Sequence, residues 1–465
     1  MARRTAHSIV EVKIVEGPVG SALPVLILEN GEISLLGLAW AREMMIRDAR
    51  SPQSLSKAIE ALGLFYDYYK LVEHGRTLSV KELQWMMLKF SEARQFGNSI
   101  LGWRATSRQS AAAEFGRINK FSDFCAENLG HIPINKIEKS LIANLSFQER
   151  ATLYYKMESK KSWDKLAHLT PSTDQGQGII QRRSIRIPVR RQKQSFASKH
   201  FPPDKVLPLL NATKSVRDKM FLLLIFFGGL RESEPLHLFV TDIHLMKNGD
   251  SKVILGDPEL DSYEWVDTFR GQQHGSRSEF LQKRYGLGPR SKLGIKNPLF
   301  SGWKSMAYTD DRMAAEVYWL VPEMGKYFAL LHSVYMRSIR NHVPDSHPYY
   351  FVNEKDGDFF GSPLKISNVT KMFYRAVERI GLTPSDPGVS PHGARHFYGY
   401  FCASHLKMPI ERTQMMMHHC NLTSTQCYYK LDQATLRAEI EEGYARIASS
   451  IPRFCDEAAR ILGEA

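Results

Sequence analysis

Between Thr170 and His200 the hydrophobic periodicity of this chain stops, and from Arg182 onward the stretch carries Arg182, Arg183, Arg186, Arg190, Arg191, Lys193 and Lys199 with no acidic residue. A segment of one charge sign does not pack into a core, because its charges repel one another and each would have to leave water. The break therefore divides the chain, whose 465 residues are in any case long for one compact core. The expected organisation is an N-terminal extension over 1–34, a helical domain over 35–169, a basic linker over 170–200 and a second domain over 201–465. Such a run is ordinarily a solvated linker. In a chain of net charge +13 it is expected instead to track a polyanion, because neutralising phosphates releases condensed counterions.

Residues Ser8 to Ser34 alternate β-branched and apolar positions around Asn30-Gly31, which predicts a short hairpin. From Leu35 to Leu166 the spacing becomes helical, with Ala61, Leu64, Phe65, Tyr68 and Tyr69 on one face, and four or five helices are expected. The second domain opens at Pro202-Pro203 with helix-like Lys205–Leu210 and Lys214–Phe227, followed by strand-like Leu238–Ile243 and Lys252–Leu255 about an Asn248-Gly249 turn. The polar stretch over about 257–297 reads as an insertion or functional loop. A helix is expected from Asp311 to Leu320, interrupted by Pro322, with further helices to the end, including an amphipathic tail over Ala434–Ser450. The fold class is mainly α with a small β-sheet in the second domain, that is, α+β.

The cysteines Cys125, Cys402, Cys420, Cys427 and Cys455 form no CxxC pair and no Cys/His array at zinc spacing, so no structural zinc or disulfide framework is indicated. A reducing cytoplasm fits. The longest apolar run, Met220 to Leu230, is shorter than the ~20 residues of a membrane span and reads as a buried helix, so no membrane partner is expected.

Chemistry concentrates toward the end of the chain. Ser390-Pro391 is a favoured N-cap followed by a favoured first helical residue, so a helix should begin there with His392 and Arg395 on one face beside amides that attract anions. Upstream, Arg231 follows the apolar run, and Glu234 can hold its guanidinium by a charge-assisted hydrogen bond. His418-His419 and Tyr428-Tyr429 come last. Each piece alone is weak; the order Arg, HxxR, His, then Tyr nine residues later is specific.

In these residues the chain resembles the tyrosine recombinases, the phage-integrase type of site-specific recombinase. Met417-His418-His419 and Thr425-Gln426-Cys427-Tyr428 align without gaps with that family's terminal boxes. The resemblance covers Pro202 to about Leu431, and the helical region ahead of it matches the family's core-binding, SAM-like DNA-binding domain in character only. It implies a catalytic set of Arg231, Lys304, His392, Arg395, His419 and the nucleophile Tyr428, with Glu234 in support. Arg231 and Arg395 would clamp the scissile phosphate. Lys304 is the candidate for the lysine carried between the second and third strands, because Trp303-Lys304 begins a strand-like segment; Lys252, Lys292 and Lys296 are its rivals. His418 stands where the family commonly has Gly and can compete with His419. Tyr429 offers a second hydroxyl, but the nine-residue spacing from His419 selects Tyr428.

The resemblance further implies double-stranded DNA as substrate, a 3′-phosphotyrosine intermediate with no cofactor or metal, a homo-tetramer on paired sites and accessory DNA-bending or directionality proteins. The basic linker residues Arg182, Arg183, Arg186, Arg190, Arg191 and Lys193 would lie along the DNA backbone. Integration or excision of a bacterial mobile element is the expected role. Alternatives are relaxation of DNA in the manner of a type IB topoisomerase, and a non-catalytic DNA-binding regulator that keeps the fold.

Overall fold

In the computed structural model, residues 4–15, 20–141, 146–148, 179–185, 199–267 and 269–429 are described. Two compact units divide the chain: Met1–Gln192 with Ser291–Phe300, and Lys193–Arg290 with Ser301–Ala465. Helices predominate in both, with small antiparallel sheets, so the architecture is α+β. Among the described residues no helix is long and apolar enough to cross a membrane.

The first unit begins with β1 (His7–Lys13) and β2 (Ala22–Leu28), paired antiparallel from His7↔Leu28 to Lys13↔Ala22. The hairpin exists, but its connection is the segment before Ala22. Asn30-Gly31 instead closes a local turn in which the Leu28 and Gly31 amides donate to the carbonyls of Glu32 and Leu28. Among the described residues four helices follow: α1 (Leu35–Ile46), α2 (Pro52–Leu71), α3 (Val80–Phe96) and α4 (Arg108–Leu129). Each starts at a serine, Ser34, Ser51, Ser79 or Ser107, whose hydroxyl accepts from an otherwise orphaned amide of the first turn. Buried Leu26, Trp40, Ile59 and Phe124 make one core, and Tyr68, Phe90, Trp103 and Phe115 another.

β3 (Ile137–Leu141) pairs with β4 (Ile179–Arg183), so part of the expected basic linker is a strand. Arg183 forks onto Asp123 and donates to the Asn135 carbonyl, 2.8 Å away. Its guanidinium is thus committed inside the unit, because a carboxylate fits two of its donors at once. Arg182 sits in the same strand, opposite Glu138. Arg186, Arg190, Arg191 and Lys193 lie outside the described residues, as does the expected tail helix from Ala434.

The second unit opens with α5 (Pro203–Ala212) and α6 (Val216–Phe226). From Met220 to Phe226 every residue of α6 is fully buried, which makes it the axis of the core. A three-stranded sheet of β5 (Ile243–Leu245), β6 (Ser251–Gly256) and β9 (Ala314–Glu316) packs nearby, in the order β5-β6-β9. The expected strand over Leu238–Ile243 begins only at Ile243, after two 3₁₀ turns. Between β6 and β9 the polar stretch is ordered: β7 (Ser262–Asp267) and β8 (Gly271–Ser276) form a hairpin, followed by α7 (Arg277–Tyr285). Buried Arg277 is the reason it folds. Its Nε donates to Asp261 at 2.6 Å, its Nη atoms grip Asp242, and its guanidinium lies 4.5 Å from the ring centre of Phe239, which shares one small core with Trp265 and Phe280. The end of that stretch, Ser291–Phe300, groups with the first unit.

The helix expected over Asp311–Leu320 is absent. Ala314–Glu316 is strand β9, paired with Ile254–Gly256, and its two alanines are fully buried. Pro322 starts a helix rather than interrupting one: α8 (Pro322–Ser338) takes it at the first position, where its missing N–H costs nothing. Then come α9 (Ile366–Arg379), α10 (Pro391–Tyr400), α11 (Ile410–Met416) and α12 (Leu422–Gln426).

Candidate active site

The site is assembled from three segments of the second unit and a loop that carries Lys304. The first follows α6. Gly229 has φ +67°, and a Cβ there would lie 2.9 Å from the Tyr398 ring, so only glycine allows the chain to turn this closely over α10. Two residues later Arg231 points back to Glu234, which opens a 3₁₀ turn. Glu234 is 1% exposed. It accepts from the Arg231 amide at 2.7 Å and, through its other oxygen, from the Arg231 guanidinium. Burial alone would raise its pKa; the charges of Arg395 and Arg231, with hydrogen bonds from Arg231, overcome that and hold it below the ordinary glutamate value.

The second segment is the start of α10. The Ser390 hydroxyl accepts from the Gly393 amide at 2.9 Å and Pro391 takes the first helical position, as the sequence predicts. Arg395, 1% exposed, donates to the carbonyls of Gly229 at 2.6 Å and of Met417, and its Nη1 lies 3.5 Å from Glu234. It therefore bolts all three segments together. His392 is exposed on the same helix; desolvation by surrounding atoms, then the charges of Arg395, Lys304, Arg231 and Lys199, lower its pKa.

The third segment runs from Met417 to Tyr429. His418 takes φ +52°, the left-handed conformation that glycine adopts without cost, so the turn survives the departure from glycine. Its buried imidazole Nε2 meets the Glu316 carbonyl at 2.8 Å, and its own carbonyl accepts from the Ala307 amide. His418 is thus occupied in structure, and His419 is the histidine presented to the site. His419 Nδ1 lies 2.9 Å from the Thr425 hydroxyl. Its pKa is pushed down to about 3 by burial, then by Arg395 and Arg231. The ring of Tyr428 runs parallel to that of His419, with centroids 6.2 Å apart. Burial raises the Tyr428 pKa against the opposing charges of Arg395 and Arg231. Tyr429, by contrast, donates its hydroxyl to the Met408 carbonyl at 2.6 Å and meets Thr413, so its oxygen is held away.

Arg231, Lys304, Ser305, His419, Cys420, Asn421 and Ser424 line a cavity of about 310 Å³. Lys304 is exposed and, contrary to the expected strand, lies in a loop of the β6–β9 connection. That loop is anchored by Trp303, edge-on to buried His237, and by the Ala307 amide on His418. Of the rival lysines, Lys252 pairs with Glu316 at 3.2 Å, and Lys292 and Lys296 fall in the segment that groups with the first unit. The structure thus brings Arg231, Lys304, His392, Arg395, His419, Tyr428 and Glu234 into one unit, in which Arg231, Lys304 and His419 line the cavity while His392, Arg395, Tyr428 and Glu234 lie off its wall. One neighbour was missed by the motif reading. His396 packs between His392 and Tyr428, with ring centroids 4.5 and 5.3 Å away. Its spacing of four residues from His392 was the available signal. Among the described residues no group of three His, Cys, Asp or Glu side chains is placed to hold a metal ion.

No family model matches the chain and no curated protein matches it. Solved structures to which it is similar are integrases and recombinases. The Tn1549 transposon integrase in complex with transposon right end DNA is 12% identical, with 88% of this chain and 98% of that one covered at a TM-score of 0.45. XerA recombinase is 12% identical, with 86% and 95% covered at 0.33. A lambda integrase dimer bound to a COC′ core site is 11% identical, with 85% and 94% covered at 0.35. These likenesses are distant.

Two outcomes follow from the electrostatics. Glu234→Gln keeps the shape but leaves Arg231 and Arg395 facing each other uncompensated, and should cost about 3 kcal/mol or more in urea unfolding; a change below about 1 kcal/mol would show that the arginines do not depend on it. His419 and His396 are held to about 3 and about 4, below the 6.5 of an ordinary histidine. The unfolded chain therefore binds more protons than the folded one in that window. Their contribution is fully present above 6.5 and is lost as pH falls from there toward 4. The unfolding free energy should drop over that range, and His419→Gln should make the drop shallower; an unchanged slope contradicts the assignment.

Proposed function

We propose that this protein breaks and rejoins DNA strands as a site-specific recombinase of the integrase type, with Tyr428 as nucleophile. The observation that carries the reading is the division of labour at the paired side chains. Arg231 and Arg395 share the buried Glu234 beside an open, positively lined cavity, while Tyr429 is hydrogen-bonded away and Tyr428 is packed on His419.

In this mechanism the scissile phosphate enters the cavity lined by Arg231, Lys304 and His419. Arg231 contacts a non-bridging oxygen, and Arg395 adds a second positive charge from the buried side. Such preorganised stabilisation of the pentacoordinate phosphorus is worth roughly 3–4 kcal/mol per donor. With the Thr425 hydroxyl donating to His419 Nδ1, Nε2 carries the proton and donates to the phosphate. The Tyr428 phenol is protonated at neutral pH, as any phenol is, and burial raises its pKa further, so it must lose its proton as it attacks. His392, neutral, takes that proton by way of a water, since His396 packs between the two rings. The Tyr428 oxygen bonds to phosphorus, the bond to the 5′-oxygen breaks, and Lys304 protonates the departing oxygen. The 3′-phosphotyrosine conserves the bond energy, so attack by a 5′-hydroxyl of a partner duplex rejoins the strand. Two duplexes held by a tetramer, in the integration or excision of a mobile element, complete the proposed role.

A pool of nicked duplexes of randomised sequence tests this. Wild type should capture a subset as a detergent-resistant protein-DNA adduct, Tyr429→Phe should do the same, Tyr428→Phe should capture none, and EDTA should change nothing. Capture that survives in Tyr428→Phe and disappears in Tyr429→Phe would reverse the nucleophile assignment. On the captured duplexes, Lys304→Ala should slow adduct formation, and a bridging sulfur in place of the 5′-oxygen, which leaves without an acid, should restore the rate. Absence of that rescue would remove Lys304 from the role of general acid.

A further inference from the structure

We propose that α10 carries a seat for the nucleophile, in which His396 and Gly399 act as positioning residues for the Tyr428 ring; this rests on the reading of Tyr428 as nucleophile. His392, His396 and Gly399 fall four and three residues apart and so share one helix face, while Ala394, Phe397 and Tyr398 are buried in the core. His396 meets the Tyr428 ring edge to face, with planes at 62° and centroids 5.3 Å apart. Its other side meets His392 at 4.5 Å and 75°. At Gly399 a Cβ would lie 2.7 Å from Tyr428 Cγ and Cδ2, so the phenol lies flat against bare helix backbone. The seat is a side-chain ring on one edge and a missing side chain beneath.

Tyr428 needs such a seat because its own backbone fixes it weakly. It follows the short helix α12, and its amide donates in a turn to the Thr425 carbonyl at 3.1 Å. A phenol on a turn samples several rotamers, whereas in-line attack demands one position; confining it beforehand removes that cost from the chemical step. The ring that confines it is uncharged at neutral pH. Burial first, then His392, Lys199, Arg395 and His200, push the His396 pKa down to about 4. The contact is therefore between two neutral aromatic rings, which favour edge-to-face packing.

The test compares wild type with His396→Ala, His396→Phe and Gly399→Ala on duplexes that the wild-type protein captures from the randomised pool, measuring melting temperature, DNA affinity and the rate of adduct formation at saturating DNA. His396→Ala and Gly399→Ala should slow that rate by roughly 10²-fold, the cost of a misplacement of about 1 Å, with DNA affinity unchanged. His396→Phe, which restores a ring without titratable nitrogen, should recover most of the rate. A merely structural role would lower melting temperature and affinity together and would not divide the variants in this way. Should His396→Ala fail to fold, the two remaining variants decide: a normal rate in Gly399→Ala overturns the seat. His396→Phe as slow as the glycine variant would overturn positioning and make the imidazole nitrogen a participant in the chemistry. A wild-type rate in His396→Ala overturns the seat alone, whereas no adduct from wild type overturns the underlying reading and the seat with it.

Discussion

The second unit is organised around a buried carboxylate. Glu234 is almost wholly removed from water, a position in which a negative charge is costly unless it is compensated. Arg231 and Arg395 supply the compensation, and the dependence is mutual, because without Glu234 two guanidiniums would face each other in a poorly solvated place. Arg395 also donates to the Gly229 and Met417 carbonyls, so the charge balance at Glu234 fixes where the turn after α6, the start of α10 and the histidine turn meet. The candidate site is the surface of that junction.

Around this junction positive charge comes from the two arginines and Lys304, while the histidines are kept neutral. His396 and His419 are held to about 4 and about 3, and His392 is lowered, each by desolvation first and neighbouring positive charge second. The same burial raises the Tyr428 pKa. A neutral imidazole can accept a proton and a protonated phenol must give one up, so the electrostatics that bind an anion also divide the acid and base roles of the proposed reaction.

Much of the site was legible because its parts are local. Ser390-Pro391 announces a helix start through capping chemistry alone, Arg231 stands at the end of an apolar run that has to be buried, and of the two adjacent tyrosines the one that the spacing from His419 passes over, Tyr429, has its hydroxyl bonded to the Met408 carbonyl. What stayed illegible depends on partners distant in sequence. The stretch after β6 reads as an irregular insertion because its core is built on a buried Arg277 between Asp242 and Asp261, and composition counts all three as surface residues. Asp311–Leu320 reads as helix because its pattern is amphipathic at helical spacing, yet pairing of Ala314–Glu316 with β6 decides. Asn30-Gly31 does make a turn, but the strand paired with β2 lies on the other side of it in sequence. His418 looked like a rival to His419 until its positive φ and its bond to the Glu316 carbonyl assigned it to the scaffold.

The central claim, that this junction directs one phenol at a DNA phosphate, is tested most directly by locating the covalent bond. Protein trapped on nicked duplexes can be digested with protease and nuclease, and the peptide that retains a nucleotide sequenced by mass spectrometry. The account predicts a nucleotide on the oxygen of Tyr428. A nucleotide on Tyr429 or on any other residue would contradict it, as would cleaved DNA with no nucleotide attached to protein.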